Sequence, residues 1–251
     1  MKSSKVCCQH LRLNPAMTAI LALDTSTPAC SVALIQDGVV LEDFRMAPRQ
    51  HNDLILPMVD QILAQAQLSL SQLDAIAFGR GPGSFTGLRI SAGVVQGLAY
   101  GADLPVVPVS TLAAMALEAH QKTHYSHWLA ALDARMGEIY LGGYSIEQKD
   151  EFWVAEEILS ERVISPDNLT SISERCHGVG SGWIYQDQLN AVLPEPAANV
   201  LSDIAPRAAC IAQLADYDFS LGKVVVANEA LPVYLRDEIT WEKQPARIGK
   251  R

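Results

Sequence analysis

The feature that most constrains this fold is a pattern written twice. Ile20-Leu-Ala-Leu-Asp24 is an apolar run ending in aspartate, followed by the turn residues Thr25 to Pro28 and a second apolar, β-branched run from Cys30 to Ile35. Trp128-Leu-Ala-Ala-Leu-Asp133 restates it, with a turn at 134–137 and another run from Glu138 to Tyr144. Each copy reads as strand, aspartate, turn, strand. Each is followed by a glycine loop, Gly79-Arg-Gly81-Pro-Gly83 in the first and Gly178-Val-Gly180-Ser-Gly182 in the second. A pattern repeated at this scale predicts two diverged copies of one α/β unit.

The first copy is legible in detail. Asp37-Gly38 is a hairpin signal before a third strand over 39–45. Ile55, Met58, Val59, Ile62, Leu63 and Ala66 recur at helical spacing and predict a helix over 51–67, with Pro57 either kinking it or ending its first turn. A short strand over 75–78, the glycine loop, a helix over 84–100, a strand over 106–109 and a helix over 110–120 complete the order βββαβαβα. In the second copy only the first two strands and the glycine loop are marked this clearly. The predicted division is a disordered extension over 1–17, a first half over 18–122, a second half over 123–240 and a basic tail over 241–251. A helix over 205–221 is expected to cross back onto the first half.

Charge narrows the partners. The 251 residues carry a formal −9, but residues 18–240 hold 12 bases and 27 acids, while both ends are basic. Within the body, residues 18–125 carry −4 and residues 126–240 carry −11. An acidic body of this kind does not grip nucleic acid over a broad face, so an RNA contact falls to the basic tail or to a partner. Five cysteines without CxxC spacing indicate reduced thiols rather than a disulfide framework or zinc knuckle. The start lacks the apolar core of a secretory signal, and the most apolar window, 90–102, is too short to span a bilayer. The expected location is the cytoplasm.

Candidate chemistry is sparse. Asp24 is placed to hold a metal or phosphate water, and Gly81, Gly83 and Ser84 lie where a strand-to-helix loop presents N–H groups to an anion. The loop is neither a P-loop nor GxGxxG, and a tight turn with Ser84 as N-cap explains it as well. Gly93, Gly97 and Gly101 recur every four residues on the helix that follows, leaving one face without bulk. Such a face packs either on the chain's own sheet or on another subunit. His120, His124 and His127 cluster where a helix ends and a linker begins, without an acidic ligand, and are read as a helix C-terminus rather than a metal site.

The strings LALDTST (21–27), GPGSFTGLRI (81–90) and DARMGEIY (133–140) resemble the TsaB (YeaZ) family, with similarity good over 18–144 and weaker to 235. That resemblance implies a duplicated actin-like, RNase H-like (ASKHA) fold. It also implies a non-catalytic subunit that pairs with a TsaD-like transferase making threonylcarbamoyladenosine beside the tRNA anticodon, with a TsaE-like ATPase as a further partner. The first two helices would form the interface, through His51, Ile55, Met58, Ile62, Arg89, Gly93, Gly97 and Gly101. Alone, the chain would form a homodimer through the same helices. No cofactor of its own is implied, since neither aspartate is followed by the glycine that lets phosphate approach; weak ATP or ADP binding is left open. The transferase's HxxxH metal pair is missing, because Ile55 stands four residues after His51. The competing readings are an independent kinase or acyltransferase and a glycoprotease-like peptidase.

Overall fold

A computed structural model describes residues 18–236; the expected extension over 1–17 and tail over 241–251 lie outside them. The first sheet contains β1 (Ala19–Asp24), β2 (Ala29–Gln36), β3 (Val39–Met46), β4 (Ala75–Gly81) and β5 (Val106–Ser110), in the order β3-β2-β1-β4-β5. Strands β1 to β3 form an antiparallel meander, and β4 and β5 join parallel to β1. The second sheet contains β6 (His127–Arg135), β7 (Glu138–Lys149), β8 (Phe152–Ile164), β9 (His177–Val179) and β10 (Val200–Leu201). Its order, β8-β7-β6-β9-β10, and its strand directions repeat the first. Two copies of one unit in a duplicated actin-like arrangement follow from this identity of order and direction.

Local chemistry sets the corners. Asp37 and Gly38 both take positive φ, 52° and 76°, as a tight hairpin between twisted strands requires. Helix α1 (His51–Ala66) runs through Pro57, whose exposed ring faces solvent, rather than ending there. Helix α2 (Phe85–Ala102) is capped by Ser84, whose hydroxyl accepts from Gly87 N–H. Ser110 caps α3 (Thr111–Thr123) in the same way.

Two layers of core position the site. Helices α1 and α2 cover the outer face of the first sheet, burying Ile55, Met58, Ile62, Val95 and Ala99 against Leu21, Leu23 and Phe78. Between the sheets lie α3 and α5 (Ala208–Ser220), in a shared core with Ile20, Ala22, Leu112, Trp128 and Ile211. Helix α5 packs on β1, β2, β4 and β5 of the first sheet, while α3 packs on β6 and β7 of the second. Each half therefore lends its last helix to the other. The second copy is reduced outside its sheet: a 3-10 turn at Pro166–Asn168 stands where α1 would be, and α4 (Gln186–Val192) where α2 would be.

Candidate functional site

Asp24 ends β1 wholly buried. Its Oδ1 accepts from Ser26 N–H at 3.0 Å and Ser26 Oγ–H at 2.8 Å, while Oδ2 has no hydrogen-bond partner among the described residues. Burial pushes the carboxyl up to about 7, against the lowering effect of the Ser26 bonds. The hairpin tip after it rests on the glycine loop. Ser84 N–H donates to Ser26 O at 2.7 Å, and Thr25 Oγ–H donates to Gly87 O at 2.6 Å. A Cβ at Gly83 would lie 2.6 Å from Ser26 O, and one at Gly87 1.9 Å from Thr25 O.

The structure thus brings Asp24, Gly81, Gly83 and Ser84 together, and close contact within the chain accounts for the glycines. Gly81 has φ +110°, with Val233 O 2.9 Å from where its Cβ would be. Two N–H groups of the helix start, those of Ser84 and Gly87, already have acceptors inside the chain. The second glycine loop is likewise a packing device, since a Cβ at Gly178 would lie 2.3 Å from the Trp183 ring and one at Gly180 would lie 2.4 Å from Ala131 O. Asp133 accepts from Arg135 N–H at 2.9 Å, as a turn aspartate does.

The first two helices separate into two kinds of residue. Ile55, Met58 and Ile62 of α1, at most 1% exposed, face the chain's own sheet. His51 is also buried, its Nε2 2.9 Å from Thr27 O and 3.2 Å from Ala29 O; two carbonyl acceptors require the Nε2–H tautomer. These four expected interface residues are corrected accordingly. Their helical spacing marks the core stripe, and the exposed face of α1 includes Asp53, Leu56, Pro57, Asp60, Gln61 and Ala64. On α2 the expectation meets a different geometry. Gly93, Gly97 and Gly101 are exposed, and a Cβ at any of them would meet nothing within 4 Å.

Phe85 and Arg89 continue the same every-fourth-residue row toward the helix start. The Arg89 guanidinium carbon lies 3.9 Å above the Phe85 ring and its Nε–H donates to Tyr234 Oη at 3.2 Å. Tyr234 belongs to a C-terminal segment that flanks α2: Gln96 Nε2–H donates to Ala230 O at 3.1 Å, and Val233 N–H to Arg80 O at 2.8 Å. Sequence reasoning assigned this segment no part at the site. The i, i+4 row from Phe85 was the available signal. Tyr100 projects beside the glycines at 85% exposure.

His120 closes α3 with its Nδ1 2.7 Å from Tyr125 O, and His124 is the left-handed C-cap. Among the described residues no group of three or more His, Cys, Asp or Glu is arranged to hold a metal ion. No described helix is long and apolar enough to cross a membrane.

Comparison with known proteins gives this geometry a family. The family model described as "TsaD: tRNA N6-adenosine threonylcarbamoyltransferase" matches residues 36–231. The tRNA threonylcarbamoyladenosine biosynthesis proteins TsaB of Haemophilus influenzae and of Escherichia coli K12 are each 44% identical; each alignment covers 91% of this chain, with 98% and 99% of the relatives. A solved structure described as YeaZ from Pseudomonas aeruginosa superimposes with a TM-score of 0.79 at 40% identity, over 87% of this chain and all of that one. The chain belongs to the TsaB (YeaZ) family.

Proposed function

We propose that this chain is the non-catalytic, activating subunit of the complex that makes threonylcarbamoyladenosine in tRNA, and that it pairs with a TsaD-like transferase through the outward face of α2. The observation that carries this reading is the open space over Gly93, Gly97 and Gly101. Glycine inside a helix costs roughly 1 kcal/mol relative to alanine. A compensating close approach to the chain's own backbone would show as a blocked Cβ, which is what Gly87 has and these three lack. The approach they permit is to another backbone. Its surroundings, Phe85, Arg89 and Tyr100, are residue types that anchor protein interfaces.

The match to the transferase's own family model and the names of the relatives support the choice of partner. Without it, the same face pairs with a second copy of the chain. A TsaE-like ATPase joins the complex. The tail over 241–251 and the partner, rather than the acidic second half, meet tRNA. Asp24 and its loop support no catalysis alone, and nucleotide binding there is weak.

Sedimentation of the chain mixed with a TsaD-like transferase tests the interface. The expected result is a heterodimer with the wild type and at least about a tenfold weaker one with Gly97→Leu, which inserts a branched side chain into the open face. Equal affinity would remove α2 from the interface.

A further inference from the structure

Away from Asp24 and Asp133, a cavity of about 270 Å³ lies between the edge of β5, the start of β8 and the C-terminal end of α5. No glycine of either loop lines it. Both halves build its floor. Arg80 and Ser110 come from the first half and Tyr144 from the second, and all three are tied to Glu161 of β8. Arg80 Nη1 is 3.1 Å from Glu161 Oε2, while the Tyr144 hydroxyl donates to Oε1 at 2.6 Å. Trp153 and Tyr217 supply aromatic walls, with Lys223 Nζ 5.8 Å from the centre of the Tyr217 ring, and Val109 and Leu214 supply apolar ones.

The lining leaves particular groups unused. Among the described residues, Nε and Nη2 of Arg80, the Trp153 indole N–H and the Tyr217 hydroxyl have no hydrogen-bond partner. Two cations and two carboxylates line the space, Arg80, Lys223, Glu157 and Asp218. Lys223 and Asp218 pair with each other at 2.8 Å, Arg80 pairs with Glu161 through Nη1, and Glu157 Oε1 accepts from Ser160 Oγ–H at 2.9 Å, which leaves the other edge of Arg80 and the exposed Oε2 of Glu157 for a ligand. The Arg80 charge is already offset by Glu161, so a purely anionic ligand would meet Glu157, which no described cation offsets, and a purely cationic one would leave the donor edge of Arg80 unmatched. A zwitterion offsets both. The volume lies just below the usual range of small-molecule sites, about 300–1,000 Å³.

We propose that this cavity binds a free α-amino acid with a bulky apolar or aromatic side chain. Its carboxylate is held by Arg80, its ammonium by Glu157, and its side chain by the rings of Trp153 and Tyr217. The proposal stands apart from the transferase partnership, because the open face of α2 does not line the cavity.

Calorimetric titration of the full chain tests it with three probes: L-phenylalanine, 3-phenylpropionate, which lacks the ammonium, and phenethylamine, which lacks the carboxylate. L-phenylalanine should saturate and bind at least about tenfold more tightly than either truncated probe. Glu157→Gln, a change on the exposed rim, should weaken L-phenylalanine and leave 3-phenylpropionate unchanged or tighter. Arg80→Met should weaken L-phenylalanine and 3-phenylpropionate together. The proposal is overturned by the absence of saturable heat with all three probes up to about 20 mM. It is equally overturned by truncated probes that bind as well as the amino acid, or by binding indifferent to Glu157→Gln.

Discussion

Oδ2 of Asp24 occupies the space where a side chain at position 79 would begin: a Cβ on Gly79 would lie 2.0 Å from it. Neither group has room to move, since Asp24 is wholly buried and Ile211 of α5 closes the other side. Gly79→Ala should therefore destabilise the protein by about 2–4 kcal/mol, measured by urea unfolding. Gly101→Ala, in open space, should instead leave stability unchanged or raise it by up to about 1 kcal/mol. Equal effects of the two changes would contradict the packing described here.

The same carboxyl makes stability depend on pH. Folded, Asp24 releases its proton near 7; its ordinary value is 3.8. Between those values the folded chain holds a proton that the unfolded chain has lost, so this contribution to stability is full below about 4 and is lost as pH rises through about 7. The full span is on the order of 4 kcal/mol. Burial also raises Asp216, which acts in the same direction. Asp24→Asn should flatten the decline between pH 4 and 8 in denaturant melts, and an unchanged slope would show that Asp24 ionises normally.

Glu161 braces the two halves. Its side chain is 6% exposed, and it receives Arg80, Ser110 and Tyr144 from three different elements. Its negative charge and burial push the Tyr144 hydroxyl well above its ordinary value, with burial the larger cause. Glu161→Leu strands the Arg80 guanidinium and leaves the Ser110 and Tyr144 hydroxyls only each other, 3.1 Å apart, and should cost about 3 kcal/mol; Glu161→Gln, which keeps an acceptor oxygen, should cost less. Thermal melts that rank the two variants the other way would show that an acceptor oxygen is not what the site requires.

Cys30, Cys176 and Cys210 are buried, and burial pushes the first two thiols up to about 11 and the third well above its ordinary value. Thiolate is the reactive form. In a variant with Cys7 and Cys8 replaced by serine, a thiol reagent at pH 8 should find no fast-reacting group until denaturant is added, and then three. A rapidly labelled thiol in the native variant would mean that one of these sites is open.

The first half was legible because each of its elements carries its own signal: apolar strands, Asp37-Gly38, the α1 stripe and the Ser84 cap. The long strand β8 was not, because its pairing with β7 shifts register near Gly143 and its Glu-rich middle is exposed, so no clean alternation survives. The α1 stripe was read correctly as a helix and wrongly as an interface. A periodic apolar row states that a face is covered without stating by what, and here the chain's own sheet covers it. The glycines on α2 were the more informative signal, since small residues without a packing partner inside the chain mark a face that the chain does not cover itself. The C-terminal segment along α2 has no apolar periodicity and only a 3-10 turn at Ala227–Glu229, and it is held by contacts of its backbone to Arg80, Val106 and the Gln96 side chain that no local pattern encodes.

The most direct measurement is reconstituted tRNA modification by a TsaD-like transferase, with its threonylcarbamoyl donor supplied, titrated with this chain. An activating subunit that works through the open face of α2 predicts saturable stimulation by the wild type and loss of it with Gly97→Leu at concentrations where wild type saturates. It also predicts no modification by the chain alone. Equal stimulation by wild type and Gly97→Leu, or modification by the chain without the transferase, would contradict it.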